Sequence, residues 1–314
     1  MSDQHDDKTT AIIDGHGTGL VPSTPDPRDY SAARLLSAIN EGRRLRPIPP
    51  PRRSIRRQPV PIPTPTPAPT PEPPDPKPLP LTTDLRAKFP PIWFQGGTNA
   101  CTSSVADMHV YVDDLIDKTV PSHAATWTWT KLRRGPENVE KNVGAGIYDA
   151  IASTRDHGVV EDSKYPYVNL NPFRLPPPEV DQEGEKNKTL AYFRLHPLTP
   201  ELVLNYLGDL RLPLAFGLGL WQGWNPDRTT GYIPRRPADA NITGYHLMVA
   251  VGFKVLTTGT WLLIRNSWST GWGVGGYAWM NLEDFVTHAF DVFAITSVES
   301  GNVAGTDVPV GMFR

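Results

Sequence analysis

The sequence predicts an α+β fold in two packed lobes, a helical first lobe and an antiparallel β second lobe. Two observations predict it. Residues 101–117 and 146–157 repeat apolar side chains at helical spacing, whereas residues 246–255, 260–265 and 276–280 have the pattern of short strands. Helices followed by strands favour segregated elements over alternating βαβ units. We therefore expect a helical lobe over residues 81–185 and a β lobe over residues 186–314.

A proline-rich extension precedes this predicted domain. Residues 1–20 are polar and predicted to be disordered. Proline recurs at almost every second position of residues 47–80, which favours an extended polyproline II spacer. A basic cluster inside the tract leaves a second interpretation open, a docking ligand for partner domains. Its members are Arg52, Arg53, Arg56 and Arg57.

Composition excludes several classes of protein. The net charge of −2 gives no global field that would attract nucleic acid, and one cysteine excludes an intrachain disulfide or a cysteine-rich zinc site. No apolar run reaches the roughly 18 residues of a membrane span. The acidic N-terminus predicts no Sec-type signal peptide. We expect a protein that is cytoplasmic or exported by another route, and that uses no metal or cofactor.

The single cysteine, Cys101, follows a glycine-bearing turn and begins the first predicted helix. A helix N-terminus favours the thiolate, which is the nucleophilic form of cysteine. Gln95 lies six residues upstream, so a folded-back loop would bring its amide beside the sulfur as a donor to an oxyanion. The alternative is a buried core cysteine, the commoner fate of a lone intracellular one.

A histidine and an asparagine provide candidate partners for the thiol. A nucleophilic thiol needs an adjacent base, and the base needs an orienting group. His246 begins one predicted strand, and Asn266 ends the next one, just before Trp268. Antiparallel pairing would bring both to one end of the sheet, with Trp268 shielding their hydrogen bond from water. The alternative is a structural histidine beside a tryptophan-rich turn.

Together these residues resemble the papain-like cysteine peptidases over about residues 81–300. Gln95 and Cys101 have the family's spacing, and His246 follows Cys101 by 145 residues, inside the expected interval. The most specific element is Asn266-Ser267-Trp268, followed by Gly271-Trp272-Gly273 and Gly276-Tyr277. Two further motifs, Asp84-Leu85-Arg86 and residues 25–30, are similar to a bacterial branch of the family.

The resemblance implies a two-lobed papain-like fold with its active site in the cleft between the lobes. It implies an endopeptidase in which Cys101 attacks the peptide carbonyl, His246 is general acid and base, and Asn266 orients the imidazole. Gln95 would contribute to the oxyanion hole and Trp268 would shield the triad. Gly144 and Tyr245 are expected to contact a peptide or protein substrate.

By the same resemblance, residues 20–80 are a candidate inhibitory pro-segment lying along the cleft. One departure concerns the nucleophile, since Thr102 follows Cys101 where papain has tryptophan. Three alternatives therefore stay open: a pseudoenzyme that binds peptides, a thiol-dependent acyl transferase, and a scaffold whose proline tract docks partners.

Overall fold

The computed structural model describes residues 12–13, 16–22, 82–113, 119–168 and 171–299. Most of the proline-rich extension, including the polyproline tract predicted at residues 47–80, lies outside the described residues. So does the motif at residues 25–30. In the described part no helix is long and apolar enough to cross a membrane.

Six α-helices and nine strands make up the described fold. The helices are α1 Val105–Val112, α2 His123–Arg133, α3 Ile147–Asp156, α4 Pro178–Gly184, α5 Pro200–Gly208 and α6 Leu282–His288. The strands are β1 Ile12–Ile13, β2 His16–Gly17, β3 Thr82–Asp84, β4 Thr189–Arg194, β5 Leu214–Trp221, β6 Ile242–Leu256, β7 Gly259–Arg265, β8 Tyr277–Asn281 and β9 Ala289–Val298. The predicted α+β class is confirmed.

The second lobe is built on one antiparallel sheet. Its strand order is β4-β9-β5-β6-β7-β8, and β3 adds to β6. Every residue of β5 is buried, so this strand forms the middle of the core. The antiparallel pairing of β6 with β7 is as predicted, and it brings the start of β6 towards the end of β7.

The helices of the first lobe begin and end where local chemistry favours it. Ser122 caps α2 by accepting from the Ala125 N–H, and Gly158 follows α3 with a φ of +81°, which an L side chain rarely adopts. The predicted helix at residues 146–157 is therefore confirmed. Trp127 and Trp129 are buried on α2.

Several elements differ from the sequence-based expectations. Cys101 begins a 3-10 turn, Cys101–Ser104, and the α-helix proper starts at Val105. Residues 171–188, for which the sequence predicts no helix, contain a 3-10 turn and α4, which buries only Val180 and Gly184. A helix this polar and short leaves almost no apolar period in the sequence. Strands β4 and β9 were likewise not predicted.

Part of the extension predicted to be disordered is ordered instead. Residues 12–13 pair with residues 16–17 in a small antiparallel ribbon, and residues 16–22 continue across the folded domain. We call residues 16–22 the cleft segment. It is held through its own backbone groups, which composition alone cannot reveal.

Candidate active site

The nucleophile candidate lies in the interior between helices and sheet. Cys101 has no exposed surface. Its Sγ donates a hydrogen bond to the carbonyl oxygen of Thr18, 2.6 Å away, and the backbone of Leu247, on β6, also lies within bonding reach. The thiol is therefore covered by a polar backbone from another part of the chain, and it also borders the apolar core.

The imidazole and carboxamide meet as the sequence predicted. His246 Nε2 and Asn266 Oδ1 are 2.7 Å apart, and both residues are buried. An amide oxygen can only accept, so Nε2 carries the proton and Nδ1 presents a lone pair. That Nδ1 has no hydrogen-bond partner among the described residues. The Trp268 ring lies 4.8 Å from the imidazole and is 1% exposed, so it covers this hydrogen bond.

The cleft segment occupies the space in front of these groups. Leu20 forms a parallel bridge with Ala145. The Ala145 N–H donates to the Gly19 carbonyl at 2.8 Å, and the Ala145 carbonyl accepts from the Val21 N–H at 2.9 Å. On the other side the Leu20 N–H donates to the Tyr245 carbonyl at 3.1 Å. The segment is therefore held by backbone bonds from both lobes, as an extended peptide would be.

Gln95 holds a carbonyl of the same segment. Its side-chain Nε2 donates to the Gly17 carbonyl at 2.8 Å and to the Thr98 carbonyl at 2.7 Å. Its Oε1 accepts from the Ser267 hydroxyl at 2.6 Å. The Gly17 oxygen thus accepts from the side chain that the sequence predicted to donate to an oxyanion.

Leu20 fills a fully enclosed apolar pocket. A Cβ added at Gly217 would lie 2.6 Å from Leu20 Cδ2 and 2.5 Å from the Phe290 ring, so any larger residue there would close the pocket. Phe290 packs edge-on against Tyr245, with ring centroids 5.7 Å apart. This glycine in the middle of a buried strand makes room for the side chain.

At the other end of the cleft segment, His16 packs between aromatic rings. It stacks on Trp268 with centroids 4.6 Å apart and meets Phe94 edge-on at 5.6 Å. Because Trp268 also covers His246, one indole contacts both the segment and the candidate catalytic base.

Burial dominates the electrostatics of the thiol and the imidazole. It raises the pKa of Cys101 to about 12, against the opposing effect of backbone N–H groups at Leu247 and Thr102. It lowers the pKa of His246 to about 4, although Asn266 and the Thr18 backbone favour the charged form. The expectation of a thiolate at the helix N-terminus is therefore wrong for the segment-bound form, in which both groups are neutral.

The two predicted substrate contacts take different roles towards the cleft segment. Tyr245 offers its carbonyl to Leu20 as described above. Gly144 makes no backbone hydrogen bond to the segment; those bonds fall one residue later, on Ala145. Gly144 is instead in close contact, since a Cβ there would lie 1.8 Å from the Gly19 oxygen. No group of three or more metal-ligating residues occurs in the part of the chain the structure describes.

Sequence reasoning missed three contributors to this site: Ser267, Thr98 and the cleft segment. Ser267 lay inside the most specific motif, but serine has no spacing signal that would mark it as a partner of Gln95. Glycines at positions 15, 17 and 19 were visible in the sequence, and two of them have a close neighbour: Cβ atoms at Gly17 and Gly19 would lie 1.9 and 2.3 Å from the backbone of residues 98–99.

The family profile described as papain family cysteine protease matches residues 141–291. That interval contains the histidine, the asparagine and the tryptophan whose geometry is given above. Residues 141–291 are therefore similar to the papain family of cysteine proteases. The resemblance inferred from the sequence is thereby confirmed.

Individual relatives agree with this assignment. An uncharacterised peptidase C1-like protein of Acanthamoeba polyphaga mimivirus is 25% identical over 149 residues, 45% of this chain and 47% of that protein. A cysteine protease of Blomia tropicalis is 27% identical over 139 residues, 42% of this chain and 40% of that protein. The aligned region spans less than half the length of these curated relatives.

Among solved structures, xylellain, a cysteine protease from Xylella fastidiosa, superimposes with a TM-score of 0.67 at 19% identity. The match covers 91% of this chain and 99% of that one. At this identity the likeness establishes the two-lobed papain-like fold, and it extends over most of the chain.

Proposed function

We propose that this chain is a cysteine endopeptidase whose nucleophile is Cys101. The observation that carries the proposal is the path of the cleft segment. An extended backbone passes between the lobes, with one carbonyl at the thiol and the preceding one at the Gln95 amide. A groove that binds an extended peptide in this way suits a peptide or protein substrate.

In the proposed mechanism the thiol proton passes to the unpartnered Nδ1 of His246 once a substrate replaces the segment. Asn266 already fixes the tautomer that leaves this nitrogen available. The thiolate attacks the peptide carbonyl, and the oxyanion is held by Gln95 Nε2 and the Cys101 N–H. The imidazolium then protonates the leaving amine, and water hydrolyses the thioester.

Mass spectrometry tests these roles directly. After incubation with an active-site-directed epoxide, the intact mass of the wild type should rise by the mass of one bound inhibitor molecule. Cys101→Ser should gain nothing and should not hydrolyse peptides, and His246→Ala should label far more slowly. Peptide hydrolysis retained by Cys101→Ser would refute the assignment of the nucleophile.

The resting form, we further propose, is blocked by the cleft segment, residues 16–22. Cys101 Sγ donates to the oxygen of Thr18, so a hydrogen bond takes the place of nucleophilic attack on its carbon. The carbonyl at Gln95 belongs to a different residue, Gly17. Thiol and oxyanion donor thus engage two separate carbonyls, which explains how the segment can lie in the cleft uncut.

The Leu20 pocket supports a proposal on substrate choice. A peptide that replaces the segment would place an apolar side chain against Gly217 and Phe290, since the pocket excludes water around a leucine. Hydrolysis of paired peptides that differ only in leucine or aspartate at that position tests this, and preference for aspartate would contradict it.

A thiol-dependent acyl transferase would use the same thiol, imidazole and oxyanion donor. Product analysis separates the two activities, because a transferase forms a new amide or ester with an added acceptor. A peptide-binding pseudoenzyme would remain slow to alkylate after the segment is displaced.

A further inference from the structure

The orientation of the Gln95 amide depends on a residue that the mechanism above does not use. Nε2 has two N–H bonds, and both are engaged by carbonyl oxygens, one from Thr98 and one from Gly17. The Thr98 carbonyl is part of the fixed domain, whereas Gly17 belongs to the cleft segment. When the segment leaves, Thr98 retains one N–H, and the other points at the position that the Gly17 oxygen held.

Ser267 holds the opposite end of the same amide. Its hydroxyl donates to Gln95 Oε1 at 2.6 Å, and the residue is 1% exposed. A rotated amide would place an oxygen against the Thr98 carbonyl and an NH2 group against the hydroxyl. The pair of contacts therefore selects the one orientation in which the amide donates into the cleft.

The backbone of Ser267 ties this arrangement to the imidazole. Its N–H donates at 2.7 Å to Asn266 Oδ1, the oxygen that also accepts from His246. Its carbonyl accepts from the Gln95 N–H at 3.0 Å, beside the bridge between Phe94 and Trp268. One buried residue thus contacts both the group that orients the base and the group that binds the oxyanion.

We propose that Ser267 is a positioning residue for the reaction, acting through Gln95. The inference rests on the proposed function and adds to it the residue that keeps the oxyanion donor aimed. In Ser267→Ala, Oε1 is buried without a donor and the amide loses its preference for one orientation. Because removing an oxyanion donor outright costs about 10²–10³ in kcat, losing its orientation should lower kcat by at least about tenfold with little change in KM.

A double-mutant cycle in the full chain tests the coupling. The variants are Ser267→Ala, Gln95→Ala and the double variant, assayed for kcat/KM on a fluorogenic peptide. Ser267→Ala should cost nothing further once Gln95 is alanine. Ser267→Thr, which keeps the hydroxyl, should restore most of the activity. Equal losses from Ser267→Ala in both backgrounds would overturn the proposal.

Two further measurements separate positioning from a structural role and from failure of the peptidase assignment. Affinity for a peptide aldehyde, whose adduct carries an oxyanion, should fall in Ser267→Ala, while alkylation by iodoacetamide should not fall. A parallel loss of alkylation would indicate general damage and refute the positioning role. Aldehyde binding needs no turnover. A wild type that bound the aldehyde without hydrolysing peptides would therefore refute the peptidase assignment but not the positioning role of Ser267.

Discussion

Shortening Leu20 to alanine should release the cleft segment and activate the enzyme. Leu20 is fully buried, and Leu20→Ala removes three carbon atoms from its pocket. At about 0.8 kcal/mol for each buried methylene, docking of the segment loses about 2.4 kcal/mol. Since 1.4 kcal/mol corresponds to a factor of ten, the ratio of open to docked molecules should rise about 50-fold. The four backbone hydrogen bonds that join the segment to residues 96, 145 and 245 are unaffected by the substitution.

Two initial rates measure this change: hydrolysis of a fluorogenic peptide and alkylation of Cys101 by iodoacetamide. Both should increase by up to about 50-fold, because both require the segment to leave the thiol. Leu190→Ala is the matched control, since the same atoms are removed from a side chain that is 57% exposed on β4. Unchanged rates in a folded Leu20→Ala protein would refute the claim that the segment limits access.

Three other predictions concern charge and processing. In the wild type, Cys101 should be alkylated slowly throughout about pH 6–9, since burial in the segment-bound form raises its pKa to about 12 and keeps it a neutral thiol; Leu20→Ala should be alkylated faster at every pH in stopped-flow assays. Asp107→Asn should lower the free energy of unfolding in urea by about 3–5 kcal/mol, because it leaves the buried guanidinium of Arg265, 3.2 Å away, without its carboxylate; the exposed Asp209→Asn should have no effect. On incubation the wild type should trim its own N-terminus in trans while Cys101→Ser stays intact, and equal trimming of both would show another protease at work.

Asp107 also illustrates what a pKa shift contributes to stability. Burial would raise the pKa of this carboxyl, but the charges of Arg265 and His123 outweigh burial and lower it. Its folded-state pKa is below the unfolded value, so the ion pair stabilises the protein above the unfolded pKa. That stability is lost as the pH falls through the folded pKa. Acid should therefore weaken the contact between α1 and β7, which carry the two residues.

The sequence by itself was sufficient to predict the fold class and the hydrogen bond between the His246 imidazole and the Asn266 carboxamide. His246 and Asn266 lie 2.7 Å apart because β6 and β7 pair antiparallel, with Val249 opposite Arg265, which brings the first part of β6 beside the residue that follows β7. The helix at residues 147–156 was predictable for a similar local reason, since its apolar positions repeat at helical spacing and a glycine follows.

Only the tertiary structure decided the state of the thiol and the course of the N-terminal segment. The helix dipole at the N-terminus of a helix would lower the pKa of Cys101 and favour the thiolate. Burial beneath Thr18 raises that pKa instead. The contacts of residues 16–22 span about eighty residues or more of sequence and are made largely by backbone groups. Almost every residue type can make a backbone hydrogen bond, so composition and spacing do not indicate which residues will be paired in this way.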